Sequence, residues 1–312
     1  MASMARIVAV LLLPAALAGC PETTEETPPP VLTPEPVGAP TQIVDTVTSA
    51  SMMQYPAALG CMGRPPQPAM PGSMQLLGYL RSYADPDYAD CMPPEGQLDV
   101  FTPGATTPIA TGYPVLTEGG DVGISIPVRA EGFRGHVRIT STGYLPVTLF
   151  NARPYTVPAT QSRGWAFLMT MTDVTTVAIE VGRSVDPAMG IVVGAVHDCR
   201  GFGISNAVVR VGGSTEGVLY FSDAEYQPGT NCLRNPADSI RSAHFTPEPE
   251  ATFTTYVGRF AVANVPPGST TVEAFGRRDR DGPLELLSTV DVEVVAGEMT
   301  AVDLSPRVTS DH

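Results

Sequence analysis

Several stretches of the chain alternate apolar and polar residues with a period of two. In GISIPV, Ile124, Ile126 and Val128 alternate with small or polar neighbours, and Val137 and Ile139 do the same in HVRIT. Val290, Val292 and Val294 alternate with Asp291 and Glu293. This is the pattern of strands that bury one face. Further strands are expected in LLGYLRSYAD, GQLDVFTP, AVVRV, GRFAVANV, TTVEAFG, ELLSTVDVEVV and EMTAVDL. Ile191, Val192 and Val193 form a run apolar on both faces, as in a covered sandwich strand. Breaks at Pro103-Gly104, Glu118-Gly119-Gly120 and Glu131-Gly132 are short enough to join antiparallel neighbours. In GRFAVANVPPGSTTVEAFG, Phe260 and Val262 share a face, Pro267-Gly268 suits a type II turn, and Val272 and Ala274 resume the alternation. Residues 165–189 differ. There Thr172 and Asp173 could cap a helix carrying Val174, Val177, Ala178 and Val181 on one side, ended by Gly182.

Composition supports the all-β class. Of 312 residues, 32 are proline and 30 glycine, and only 16% are charged, which favours short strands and turns over long helices. The expected architecture is two β-sandwich domains, residues 48–164 and 190–306, joined by a short helical connector at 165–189. Residues 223–257 read as a polar insertion, and residues 46–74 give no firm pattern. All 18 basic residues are arginine against 32 acidic ones, a formal net charge of -14. Such a surface repels phosphate backbones, so nucleic acid is not an expected partner.

The first twenty residues, MASMARIVAVLLLPAALAGC, combine Arg6, an apolar core from Ile7 to Leu17 and small residues before a cysteine. The core is too short for a permanent membrane span, so residues 1–19 are expected to be a signal peptide. Leu17-Ala18-Gly19-Cys20 resembles the lipobox of bacterial lipoproteins. That resemblance implies cleavage before Cys20, lipidation of its thiol and attachment to a membrane. Pro21 is not the aspartate associated with inner-membrane retention, which points to the outer membrane of the cell envelope. Residues 20–47, rich in proline, threonine and glutamate, read as a tether reaching about 75 Å in polyproline II form.

The other four cysteines, Cys61, Cys91, Cys199 and Cys232, suit two disulfides in an exported chain. The pairing expected from two separate domains is Cys61 with Cys91 and Cys199 with Cys232. No pair has CxxC spacing, so no metal is expected.

The order GIVVGAVHDC, GISNAVVRV, GRFAVANVPPGSTTVEAFG and VDVEVVAGEMTAVDL resembles the carboxypeptidase regulatory-like, or transthyretin-like, β-sandwich module. Its motifs fall at Gly190 to Val193, Ala207 to Val211, Gly258 to Phe260, Pro266 to Gly268 and Ala296 to Glu298. Thr271 stands where the family often has tyrosine. GYLRSYADPDYADC, GQLDVFTP and GFRGHVRITSTGYLP follow a similar order, which suggests an internal repeat. The resemblance implies a transthyretin-like fold in an accessory module, without the metal ligands of the associated enzymes.

Candidate chemistry is sparse. HExxH, GxSxG and phosphate-loop motifs are absent, and His136, His197, His244 and His312 are isolated. His197-Asp198-Cys199 invites a nucleophile reading, but adjacent strand residues point to opposite faces. Asp279-Arg280-Asp281-Gly282 resembles a fragment of a calcium loop and fits a hairpin turn better. Trp165, the only tryptophan, is assigned to packing. Tyr220, Phe221 and Tyr226 are the candidate exposed contact surface. The expectation is a lipid-anchored envelope protein without catalytic residues or cofactors, acting as a binding, scaffold or accessory module. Its partner would be an envelope protein or polysaccharide. Carbohydrate or peptidoglycan binding is the alternative, and an unfamiliar envelope hydrolase the third reading.

Overall fold

The computed structural model describes residues 29–47, 54–62, 72–82, 96–113, 122–128, 135–150, 155–156, 164–223 and 245–306. The expected alternating segments all form strands. In the first half these are β1 (Asp45–Val47), β2 (Gln54–Pro56), β3 (Gly72–Ser82), β4 (Gly96–Phe101) and β5 (Ala110–Gly112). They continue with β6 (Val122–Val128), β7 (His136–Ser141), β8 (Val147–Phe150), β9 (Tyr155–Thr156) and β10 (Gly164–Leu168). Helix α1 (Met171–Glu180) follows. The second half contains β11 (Gly190–Val196), β12 (Ile204–Ser205), β13 (Ala207–Val211), β14 (Leu219–Asp223) and β15 (Phe245–Glu248). Its last strands are β16 (Arg259–Val265), β17 (Gly268–Arg277), β18 (Leu284–Val294) and β19 (Met299–Leu304).

One sheet runs through both halves of the chain. Its order is β15-β14-β16-β11-β19-β8-β7-β4-β5. The halves join where β19 pairs in parallel with β8, placing Met299 opposite Val147 and Val302 opposite Phe150. Alternation along these strands sends residues to two cores. Val192, Val196, Phe260, Val262, Val302 and Leu304 face the small sheet β13-β17-β18 and form the main core with Val209, Val272, Ala274 and Val290. Leu98, Val100, Val137, Ile139, Val147, Ile191 and Met299 face the other way and pack with Leu168 and Val174 of α1. Phe260 and Val262 thus share a face as expected. The double proline carries the chain from the large sheet at Val265 to the small one at Gly268.

The segment expected to link two domains begins as strand β10, where Trp165 pairs through its backbone with Tyr79 of β3. The helix does follow, but its N-cap is Thr170 rather than Thr172. Thr170 and Asp173 form a capping box, with Thr170 Oγ1 accepting from Asp173 N and Asp173 Oδ2 accepting from Thr170 N. Gly182, at φ +69°, ends it.

Residues 29–47 correct the tether expectation. They form a strap across the small sheet rather than a free spacer. Leu286 N donates to Pro30 O and Leu32 N to Leu284 O, both at 2.8 Å, so the strap runs antiparallel to the start of β18. Leu32 is buried against Val208, Phe275 and Leu284. The chain then wraps the β17–β18 turn, where Arg277 Nε donates to Pro40 O at 2.8 Å and its guanidinium pairs with Glu35. Val44 enters the main core and sits on Gly276, where an added Cβ would meet Val44 Cγ1 at 2.3 Å. Asn206, held at φ 61°, donates from Nδ2 to Ile43 O at 3.0 Å, and β1 pairs with β12. Proline-rich composition signals exposed chain, but Leu32 and Val44 are buried in the surface that the strap crosses.

The disulfide pairing is also corrected. Cys61 is bonded to Cys199, across 138 residues of sequence. The local pairing assumed that residues 48–62 belong with the N-terminal strands, whereas residues 54–62 lie against the loop after β11. Ala58 N donates to Asp198 and Cys199 N to Ala58 O. Cys91 and Cys232 lie outside the described residues, as do Cys20 and the signal segment. The insertion is shorter than its polarity suggests. Thr254 is fully buried and its hydroxyl bridges Ile204 O and Ala207 N.

Candidate functional site

The loop after β11 gathers the residues that invited a nucleophile reading, and the geometry commits them to structure. Cys199 is in the disulfide. Asp198 is fully buried, and its carboxylate accepts from Ala58 N, Arg200 N, Phe202 N and Arg200 Nε at 2.8 to 3.1 Å. His197 Nδ1 instead lies 2.7 Å from Asp303 Oδ1 on β19. The three adjacent side chains diverge, and Asp198 works as the clasp that holds the loop against residues 57–61.

The aromatic contact surface is corrected at Tyr220. It points into the main core at 2% exposure, because β14 places it opposite Phe260. Its hydroxyl accepts from Val209 N at 2.9 Å and so ties the two sheets together. Burial raises its pKa above the ordinary value. Phe221 is half-buried, and Tyr226 lies outside the described residues. Asp279 to Gly282 form the exposed β17–β18 turn, closed by Gly282 N donating to Asp279 O. Among the described residues no group of three or more His, Cys, Asp and Glu could hold a metal ion.

A different surface brings polar and aromatic groups together. Where β8, β7, β4 and β5 extend the large sheet beyond β19, the face continuous with the main core carries two cross-strand rows. In the first, Phe101, His136 and Phe150 stand opposite one another. Their rings stack at 4.9 Å and 5.2 Å between centroids, tilted by 12° and 29°. Rings stacked at about the strand spacing stand upright and present their edges. In the second row, two residues along, lie Asp99, Arg138 and Thr148. Arg138 Nη2 donates to Glu298 Oε1 at 2.6 Å, while Asp99 accepts from Gln97 Nε2 and from Thr111 Oγ1. Glu298 Oε2 is buried and has no partner among the described residues.

Exposure rises along this strip toward the β5 edge. Phe150, His136 and Phe101 are half-buried, Ile109 is 40% exposed and Tyr113 67%. Burial first, and the Arg138 guanidinium second, lower the pKa of His136 below its ordinary value, which favours the neutral ring between its two phenyl neighbours. The arrangement offers an apolar ridge beside a fixed guanidinium and a fixed carboxylate. Sequence reading named His136 only as isolated. The signal that could have placed it is the shared strand position of Phe101, His136 and Phe150, which needs the pairing of β4, β7 and β8 to be known.

No protein-family profile and no curated protein matches the chain. Two solved structures are similar over three quarters of it. One is a streptococcal ancillary pilin, with 13% identity and a TM-score of 0.17, covering 76% of this chain and 63% of that one. The other is the Bacillus anthracis TIE protein, with 11% identity and a TM-score of 0.17, covering 75% and 34%. The chain therefore spans less than two thirds of either. Superpositions this poor assign no shared fold. The β-rich, multi-sheet architecture rests on the strands themselves. No helix among the described residues is long and apolar enough to cross a membrane.

Proposed function

We propose that this is a non-catalytic, lipid-anchored protein of the cell envelope whose β-body presents a binding face. The observation that carries the reading is the commitment of Asp198 and Cys199 to a clasp and a disulfide, together with the Cys20 lipobox resemblance. Chemistry needs groups left free to act, and among the described residues the Asp198 and Cys199 that invited a nucleophile reading are spent on holding the fold. Palmitate labelling of the wild-type chain, lost in Cys20→Ala, is the expected result for the anchor. Labelling that persists in Cys20→Ala would remove that part of the reading.

The strip on β4, β7 and β8 favours a polysaccharide as the bound partner. Sugar rings combine apolar C–H faces with hydroxyls. The upright Phe101 and Phe150 rings would give the former apolar contact without face-on stacking, and Arg138 and Asp99 would meet the latter. Purified Cys20→Ala protein should be retained saturably on envelope polysaccharide, and the additional change Phe101→Ala should weaken retention. Equal retention of the two proteins would argue that the strip is not the contact.

A further inference from the structure

The strap changes what an anchor at Cys20 can do, and the inference below rests on that anchor. Had residues 20–47 been free, the body could stand about 75 Å from the bilayer. Instead the packed chain begins at Pro30, fixed by its carbonyl to Leu286 N. Ten peptide steps separate Cys20 from Pro30, and fully extended they cover at most about 35 Å. A folded unit of this size is about 50 Å across. The leash is shorter than the body it holds.

Where the leash leaves the body then biases which side faces the membrane. Pro30 to Leu32 lie along the outer edge of β18, in the small-sheet layer. Helix α1 lies on the opposite face of the large sheet, packed through Val174 in the second core. The layers between them are about 20 Å thick, from two spacings of about 10 Å. Turning α1 to the bilayer would take more than half of the leash's greatest possible length, whereas the β18 edge lies where the leash begins. We infer that the β18 edge and the β17–β18 turn form the bilayer-proximal surface, that its partner is the phospholipid headgroup layer, and that α1 faces away. The turn carries Arg278 and Arg280 alternating with Asp279 and Asp281, all exposed. Its charges balance, so the placement comes from leash length rather than from attraction.

The test uses the full, lipidated chain in phosphatidylethanolamine–phosphatidylglycerol vesicles containing a headgroup acceptor dye. A donor dye is attached through an azido-phenylalanine replacing either Arg280 in the turn or Ile179 on the exposed side of α1, which is 66% exposed. With a short-range dye pair, transfer from position 280 should exceed that from 179 about twofold, given the layers of about 20 Å between them. Inserting twenty Gly/Ser residues after Thr24 should reduce that difference. Equal transfer from the two positions, or more from 179, overturns the orientation while leaving the anchor intact. If palmitate is not incorporated and neither position transfers, the anchor itself fails, and this inference fails with it.

Discussion

If residues 29–47 are a docked strap, removing one buried side chain should release it. Leu32 is 5% exposed and lies among Val208, Phe275 and Leu284. Truncating a buried leucine to alanine typically costs about 2–5 kcal/mol. The strap is also held by Leu32 N and Val44 N, which donate to Leu284 O and Arg277 O, and by the Glu35–Arg277 pair. A loss of about 3 kcal/mol shifts the docked-to-released ratio by roughly 100-fold, at 1.4 kcal/mol per tenfold. Release need not unfold the sheets, so the readout should be local. A glutamate-specific protease cutting at Glu35 provides it, because cleavage of a briefly opened segment follows the open population. Leu32→Ala should be cut at Glu35 about 100-fold faster than the wild type. Val37→Ala, at a residue 97% exposed, should leave the rate unchanged. Equal cleavage of Leu32→Ala and wild type would refute the strap and restore the long free tether.

Peptide mapping without reduction should recover Cys61 joined to Cys199. A 61–91 fragment would contradict this. Closing a loop of 138 residues is worth about 5 kcal/mol in the chain-entropy model, so Cys61→Ser with Cys199→Ser should lower the denaturation midpoint substantially. Tyr220→Phe should cost about 1–3 kcal/mol in denaturant unfolding, because it leaves Val209 N–H buried without its acceptor. An exposed contact residue would show no such loss. His136 titrates below 6.5 in the folded protein, so the fold favours its neutral form. Its stabilising contribution is complete above pH 6.5 and is lost as pH falls through that value toward the folded pKa. His136→Phe should therefore lose less stability than the wild type on acidification from pH 7 to 5, and an unchanged slope would show that His136 is not its source.

The strands were legible because their signal is local. Val290, Val292 and Val294 alternate with acidic residues, and all three are buried while Asp291 and Glu293 are exposed. Pairing is not local. The parallel contact of β19 with β8 joins Val302 to Phe150, and no periodicity within either strand specifies a partner 152 residues away. The helix was legible in type but shifted by two residues at its start, since Thr170 and Thr172 are both plausible caps and only the Asp173 reciprocal bond chooses between them. Tyr220 misled because its residue type tolerates exposure, whereas its position on β14, one residue after Leu219 and opposite Phe260, sends it inward. The strap misled for the opposite reason. Its composition is that of a spacer, and the few residues that dock it, Leu32 and Val44, gain their importance from vacancies in the surface they meet, such as the missing side chain of Gly276.

The same non-local pairing explains why the strip of Phe101, His136 and Phe150 exists. β19 sits between β11 and β8, in the middle of the large sheet. On one side of it the small sheet covers the face that carries Val192 and Val302. On the other side that face continues onto β8, β7 and β4, where the small sheet no longer reaches. Side chains at Thr148, Phe150, His136, Arg138, Phe101 and Asp99 therefore occupy positions that would be core in a closed sandwich. The alternation accommodates them with aromatic and charged residues instead of valine and leucine, while the opposite face of the same strands keeps Val100, Val137, Ile139 and Val147 buried. A sheet wider than its cover leaves such a face, and the residues placed there can be selected for contact without weakening either core. Arg138 reaching Glu298, in the turn between β18 and β19, marks the line where the cover of the small sheet ends.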